Sequence, residues 1–165
     1  MPAGRYMQPM PVTLGLVSDT HGLVRPEALA ALAGVDRVLH AGDVGKPEVL
    51  GALAEVAPVV AVRGNVDRGA WAEALPERVE LCIEGWRLVL VHDVSTVGPL
   101  AGAQIVVHGH SHRPRDERID GVRYLNPGSI GPRRFSLPVA MARLTLAPGR
   151  LQLHPQVLAL SLIHI

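Results

Sequence analysis

The chain has 165 residues and a mass of 17.6 kDa, enough for one domain with a substantial buried core. Hydrophobic residues make up 48% and charged residues 19%, a balance that excludes a disordered chain. Lys plus Arg number 16 and Asp plus Glu 15, for a net charge of +1 with no basic run. A broad nucleic-acid or membrane-binding surface is therefore not indicated, and a small phosphorylated substrate stays open.

Cys82 is the only cysteine, so no intramolecular disulfide can form, and the chain suits a reducing compartment. It reads as a small buried apolar residue. Residues 1–11 lack the apolar stretch of a signal peptide, and no run approaches a membrane span. The expectation is a soluble cytoplasmic protein. No repeat, linker or composition break divides the chain.

The first predicted strand, Val12 to Val17, lacks alternation and reads as fully buried; it empties into Ser18-Asp19-Thr20-His21-Gly22. As single residues Asp19 and His21 also suit the cap of a following helix. Pro26 to Ala33, with Pro at its start and Gly34 as its stop, is a crossover helix. Arg37 to Ala41 is the second strand, ending in Gly42-Asp43. The segment Gly42-Asp43-Val44-Gly45-Lys46 lacks the Gly-Lys-Ser/Thr ending of a phosphate-cradling loop. Pro47 to Val56 is a second helix and Val59 to Val62 a third strand, ending in Gly64-Asn65. The alternation is that of a parallel sheet with right-handed crossovers.

Hairpins follow. Arg78 to Ile83 and Trp86 to Val91 flank Glu84-Gly85, and His92 closes the second strand. Arg115 to Ile119 and Val122 to Leu125 flank Asp120-Gly121, and Pro138 to Leu146 and Arg150 to Gln156 flank Pro148-Gly149. Between the first two hairpins the apolar run Gln104-Ile105-Val106-Val107 ends in His108-Gly109-His110-Ser111-His112. Alone, that cluster also suits an exposed His-rich turn.

Five strands thus end in oxygen or nitrogen donors, and in an open α/β sheet such ends line one crevice. The candidate metal ligands are Asp19, His21, Asp43, Asn65, His92, His110 and His112. Hard oxygen and imidazole donors without thiolate suit Mn, Fe, Zn or Ni, and seven side chains exceed one tetrahedral ion. Two ions sharing a bridging carboxylate fit better. His40, His108 and His154 read instead as satisfied internal histidines.

The ordered motifs Asp-x-His, Gly-Asp, Gly-Asn, His and Gly-His-x-His resemble the calcineurin-like metallophosphoesterases, and most of all their small YfcE-like phosphodiesterase branch. The resemblance covers Val12 to Gln156. It implies an α/β fold, a four-layer αββα sandwich of two mixed β-sheets flanked by helices. It also implies Asp19, His21 and His112 on one ion, Asn65, His92 and His110 on the other, and Asp43 between them, with Asp43, Asn65 and His110 as the residues that carry catalysis. The implied cofactors are two divalent metal ions, Mn2+ before Zn2+, Fe2+ or Ni2+. Such a pair holds a hydroxide nucleophile for in-line hydrolysis of a small phosphate ester. The implied activity is that of a metallophosphodiesterase; a phosphomonoesterase or nucleotidase on the same site, or a silent scaffold of the same fold, are the alternatives, and a homo-oligomer is left open.

Asn126-Pro127-Gly128-Ser129 also occurs in that branch. It reads either as a turn aiming N–H groups at substrate, through Asn126, Gly128 and Ser129, or as a plain structural turn. It does not match G-x-S-x-G, so Ser129 is no elbow nucleophile. Two departures stand out. Val66 follows Gly64-Asn65 where many family members carry a His, and only eleven residues separate His92 from Gln104, a segment that is longer in the family. The domain is expected to span residues 12–156. The tails are 1–11 and 157–165, the latter apolar, unlike the family and read as not native.

Overall fold

The computed structural model describes residues 10–160. In chain order these form β1 (Val12–Val17), α1 (Pro26–Ala31), β2 (Arg37–His40), α2 (Pro47–Ala54), β3 (Val59–Ala61), α3 (Ala70–Glu73), β4 (Arg78–Ile83), β5 (Trp86–Val91), β6 (Ile105–Val107), β7 (Arg115–Ile119), β8 (Val122–Asn126), β9 (Ala140–Ala147) and β10 (Arg150–Val157). One mixed sheet has the order β10-β9-β1-β2-β3 and the other β4-β5-β6-β8-β7. In the first, β1 pairs in parallel with β2 and β2 with β3; in the second, β5, β6 and β8 run parallel. Antiparallel partners flank both parallel cores.

The side-chain period of two sets each strand's two faces. Leu14, Leu16 and Leu39 of the first sheet meet Leu88, Leu90, Ile105, Val107 and Leu125 of the second in the core between them. Each such side chain contributes about 1.5–3 kcal/mol by burial. On the opposite face Val17 and Val38 pack against Ala28, Leu32, Val49 and Leu53 of the α1 and α2 region. Gly15 leaves the space that the Leu32 side chain fills.

The outer face of the second sheet is covered differently. Val89, Val91, Ala103 and Val106 lie beneath Val94, Val97 and Leu100, from a segment whose only regular structure is a 3-10 turn at Val94–Thr96. The shortness of this segment was read from the sequence; a sliver of irregular chain takes the place of a helix there.

Element ends shift for identifiable reasons. The α-helix of α1 stops at Ala31 rather than Ala33, where the Arg143 guanidinium donates to the carbonyls of Ala31 (2.9 Å) and Ala33 (3.1 Å). Helix α2 stops at Ala54, four residues before Pro58, a proline that disfavours helix in the residue preceding it. Glu84-Gly85 and Asp120-Gly121 adopt positive φ at both positions, 50° and 82°, and 50° and 79°, the two-residue hairpin geometry that a right-handed twist demands. Two residues are not internal as expected. Cys82 is exposed on β4, and His154 is exposed on β10; both strands are sheet edges, with little to cover them. His40 and His108 are buried, at 0% and 4% exposure.

Of the expected tails, residues 1–9 and 161–165 lie outside the described residues. Val157 is still in β10, and the Leu158 N–H donates to Val139 O at 2.8 Å while its side chain packs on the helix-side core. No helix among the described residues is long and apolar enough to cross a membrane.

Candidate metal centre

The carboxyl ends of β1, β2, β3, β5 and β6 point to one edge of the two stacked sheets. There the structure gathers two clusters, Asp19 with His21 and His112, and Asp43 with His92 and His110. The helix-cap alternative for Asp19 and His21 fails, because the N-cap of α1 is Arg25 and no side chain caps it.

In the first cluster His112 Nε2 lies 3.4 Å and His21 Nε2 3.9 Å from Asp19 Oδ1, and the two ring nitrogens face each other at 3.3 Å. In the second, His92 Nε2 is 3.2 Å from Asp43 Oδ2 and 3.3 Å from His110 Nδ1. The clusters meet through His21 Nε2, 3.7 Å from Asp43 Oδ2. Four donors placed tetrahedrally at ~2.0–2.1 Å from an ion are about 3.3–3.4 Å apart along each edge. Most of these separations match such an edge, so the donor atoms are spaced as ligands of a common ion would be.

Hydrogen bonds fix which atoms face inward. The Ala41 carbonyl can only accept, so His92 donates from Nδ1 to it at 2.7 Å, which turns Nε2 toward Asp43. Asp19 Oδ2 accepts from Ser18 Oγ (2.6 Å) and His110 N (3.2 Å), whereas Asp19 Oδ1 is buried without a partner among the described residues. A fully buried carboxylate with one empty oxygen is costly, and a cation would satisfy it. Burial pushes the Asp19 carboxyl up despite Ser18 and the histidines beside it. Burial acts the same way on Asp43, but the His92 hydrogen bond and charge, the Val66 N–H and His21 outweigh it and hold the carboxyl down at about 2. His92 is raised: its burial opposes protonation, and Asp43 overcomes that. Burial lowers His112, with Arg134 and His21 acting in the same direction.

The backbone is strained where these donors sit. Asp19, His21, Asp43, His110 and His112 have φ of 55°, 46°, 57°, 75° and 64°, the left-handed region that non-glycine residues rarely occupy except at functional sites. Two glycines let the loops close. A Cβ on Gly109 would strike Ser18 and Asp19, and one on Gly64 would strike Asp43.

Asn65 is exposed and lines a cleft beside His92, so it shares the crevice with the second cluster. Asn126, Gly128 and Ser129 are engaged in hydrogen bonds within the loops. Asn126 donates to Gly109 O and Ser111 Oγ (both 3.1 Å) and accepts from Gly128 N (2.9 Å); Ser129 donates to Asp19 O (3.0 Å) and accepts from Gly131 N (3.1 Å). All three are buried. These bonds brace the loops beneath Asp19 and His110, as the structural alternative expects.

Sequence reasoning gave Asp67 no structural role. It is buried at 5%, and its carboxylate accepts from Val44 N (3.1 Å), Gly45 N (2.8 Å) and Gly64 N (2.8 Å). It therefore locks the loop after β2, which carries Asp43, to the loop after β3, which carries Asn65. Its signal in the sequence was its place two residues after Asn65.

The family model for the calcineurin-like phosphoesterase superfamily domain matches residues 12–149. A probable metallophosphoesterase of Methanothermobacter thermautotrophicus is 34% identical over 143 residues, covering 78% of this chain and 83% of the relative. Among solved structures, an archaeal phosphodiesterase superimposes with a TM-score of 0.74 at 22% identity, covering 89% of this chain and all of that one. Vacuolar protein sorting 29 from Cryptosporidium parvum gives 0.73 at 18%, covering 91% and 99%. At these identities the two structures speak to the fold.

Proposed function

The chain belongs to the calcineurin-like phosphoesterase superfamily, and from that membership we propose that it is a metal-dependent phosphodiesterase acting on a small substrate. The observation that carries the reading is the pair of clusters joined at Asp43. In this reading Asp19, His21 and His112 hold one divalent ion, Asn65, His92 and His110 the other, and Asp43 serves both. Mn2+ is the first choice, with Zn2+, Fe2+ or Ni2+ compatible with the same donors. Two such ions supply Lewis acidity toward phosphoryl oxygens and a hydroxide nucleophile at neutral pH.

The chain's own residues do the rest. Asp43 sets the spacing, and its carboxylate is kept ionised by His92 and the Val66 N–H. Ala41 O holds His92 in one tautomer, while Ser18 and the His110 N–H orient Asp19. The nucleophile comes from water, so no side chain need attack. Val66, 47% exposed at the crevice, has no proton to give a leaving oxygen. That absence favours esters with good leaving groups and is one reason to read diesters before monoesters. A cytoplasmic location is part of the same reading, on the single cysteine.

Protein purified without chelator tests this by metal analysis and by parallel assays of bis(p-nitrophenyl) phosphate and p-nitrophenyl phosphate with Mn2+. The expected result is two ions per chain and faster turnover of the diester. A preference for the monoester moves the reading to a monoesterase or nucleotidase. Two bound ions with neither ester cleaved leaves a scaffold.

A further inference from the structure

Beside His92 and Asn65 lies a cavity of about 250 Å³ whose remaining walls are Arg63, Glu77, Asp93 and Thr96. Apart from Gly64, each of its lining residues carries a polar side chain. A second cavity, between the sheets, has the opposite character, lined largely by residues such as Leu16, Leu125 and Met141. Because its rim includes two proposed ligands, Asn65 and His92, the polar cavity adjoins the site where a phosphodiester would bind.

The groups on its wall specify that alcohol. Arg63 NH2 donates to Glu77 Oε1 at 2.7 Å. Asp93 Oδ1 accepts from Ser95 N (3.0 Å) and Oγ (2.8 Å), and the Thr96 hydroxyl donates to Asp93 O at 2.7 Å. Among the described residues, Glu77 Oε2 and Asp93 Oδ2 accept nothing, and Thr96 Oγ1 has spent its proton. The wall thus offers carboxylate and hydroxyl oxygens as acceptors, with the Arg63 N–H groups as the complement. Two carboxylates against one guanidinium disfavour a second anionic group. An alkyl or aryl group would displace water from these atoms without replacing its hydrogen bonds.

We propose that this cavity, which rests on the phosphodiesterase reading of the adjoining site, takes a neutral, hydroxyl-bearing alcohol of the substrate. The ester it selects is that of a polyol, in preference to an alkyl, aryl or further charged group. Glu77 determines the choice by holding Arg63 and accepting from a substrate hydroxyl.

The probes are three methylphosphonate monoesters, of glycerol, of propanol and of glyceric acid through its terminal hydroxyl, titrated calorimetrically into the Mn2+-loaded protein, with phosphorus NMR afterwards to show that their ester bonds are intact. The glyceryl ester should bind at least about tenfold tighter than the propyl ester, as expected for hydrogen bonds to charged groups, and tighter than the glycerate. Glu77 is 76% exposed in its side chain, so Glu77→Ala should fold normally; it frees Arg63, and should weaken the glyceryl ester severalfold while strengthening the glycerate. Equal affinities for glyceryl and propyl esters, or an equal change in all three on Glu77→Ala, overturns the assignment. Turnover of bis(p-nitrophenyl) phosphate is read in parallel: its absence with the binding order intact removes the phosphodiesterase reading alone, and its presence with flat affinities removes the cavity assignment alone.

Discussion

His21 Nε2 lies 3.7 Å from Asp43 Oδ2, although the two residues fall in different clusters. Asp43 is the carboxylate that both clusters approach, with His92 Nε2 at 3.2 Å from the same oxygen. Asp43→Ala should therefore empty both ion positions. Even partners that merely orient a ligand cost about 10–100-fold, so turnover should fall by more than about 100-fold. Retention of two ions by metal analysis, with near-normal turnover, would remove Asp43 from the bridging role.

His110 and His112 are two residues apart but belong to different clusters. Substituting either by Ala should lower occupancy mainly at its own position, giving about one ion per chain in a folded protein. Loss of both ions from either variant would instead point to one shared site.

Val66 sets the response to the leaving group. Without a proton donor after Asn65, rates along a series of diesters should fall steeply as leaving-group pKa rises, since general-acid help is worth typically about 10²–10⁴. Val66→His should flatten that slope with metal content unchanged; Val66 is exposed enough to leave room. A shallow slope already present with Val66 would mean that another group, Arg68 by position, supplies the proton.

Asp67 ties two loops through three backbone N–H groups. Asp67→Ala strands those donors in a buried site and should destabilise the fold by about 2–4 kcal/mol in denaturant titration. Metal affinity at the Asp43 cluster should drop more than at the Asp19 cluster in the variant that remains folded. A uniform change at both would limit Asp67 to general stability.

His40 is fully buried; its Nδ1 accepts from Gly42 N at 3.0 Å and its Nε2 meets Thr20 Oγ1 at 3.0 Å. The Thr20 hydroxyl donates to Val44 O, so Nε2 carries the ring proton, and burial pushes the imidazole down to about 4. A folded pKa below the unfolded value of 6.5 gives stability that is complete above pH 6.5 and lost as pH falls toward 4. The loss should approach about 3 kcal/mol. Unfolding of chelator-treated protein between pH 7 and pH 4 should show this extra slope, and His40→Gln should lack it. Identical slopes would show that His40 is not the group responsible.

The parallel β-α-β-α-β unit and both two-residue hairpin turns were legible because local signals agree there: Pro at helix starts, Gly at stops, and Glu84-Gly85 and Asp120-Gly121 between β-formers. The clustered donors were legible because each ends an apolar run. The four residues of α3 escaped notice because they are too few for a helical period; Trp71 places them by packing on the helix-side core. Cys82 and His154 were misread because edge position depends on strand order. Asn126 to Ser129 has a composition that serves an anion-binding turn or a brace equally well, and the contact that favours the brace, Ser129 against the Asp19 carbonyl, joins residues far apart in the chain. Asp67 acts across two loops that meet only in the folded chain.

The thin cover over the second sheet has an engineering consequence. The segment from Asp93 to Gln104 forms one wall of the crevice through Asp93 and Thr96, yet it contributes only a few partly buried side chains to the packing beneath. Its length can therefore be altered where Val94, Val97, Leu100 and Ala103 are kept as the cover of that face, and each doubling of a loop adds only about 0.6 kcal/mol of closure entropy. Grafting longer or shorter segments between these two residues is the most direct route to retuning which esters the centre admits while leaving its donors in place.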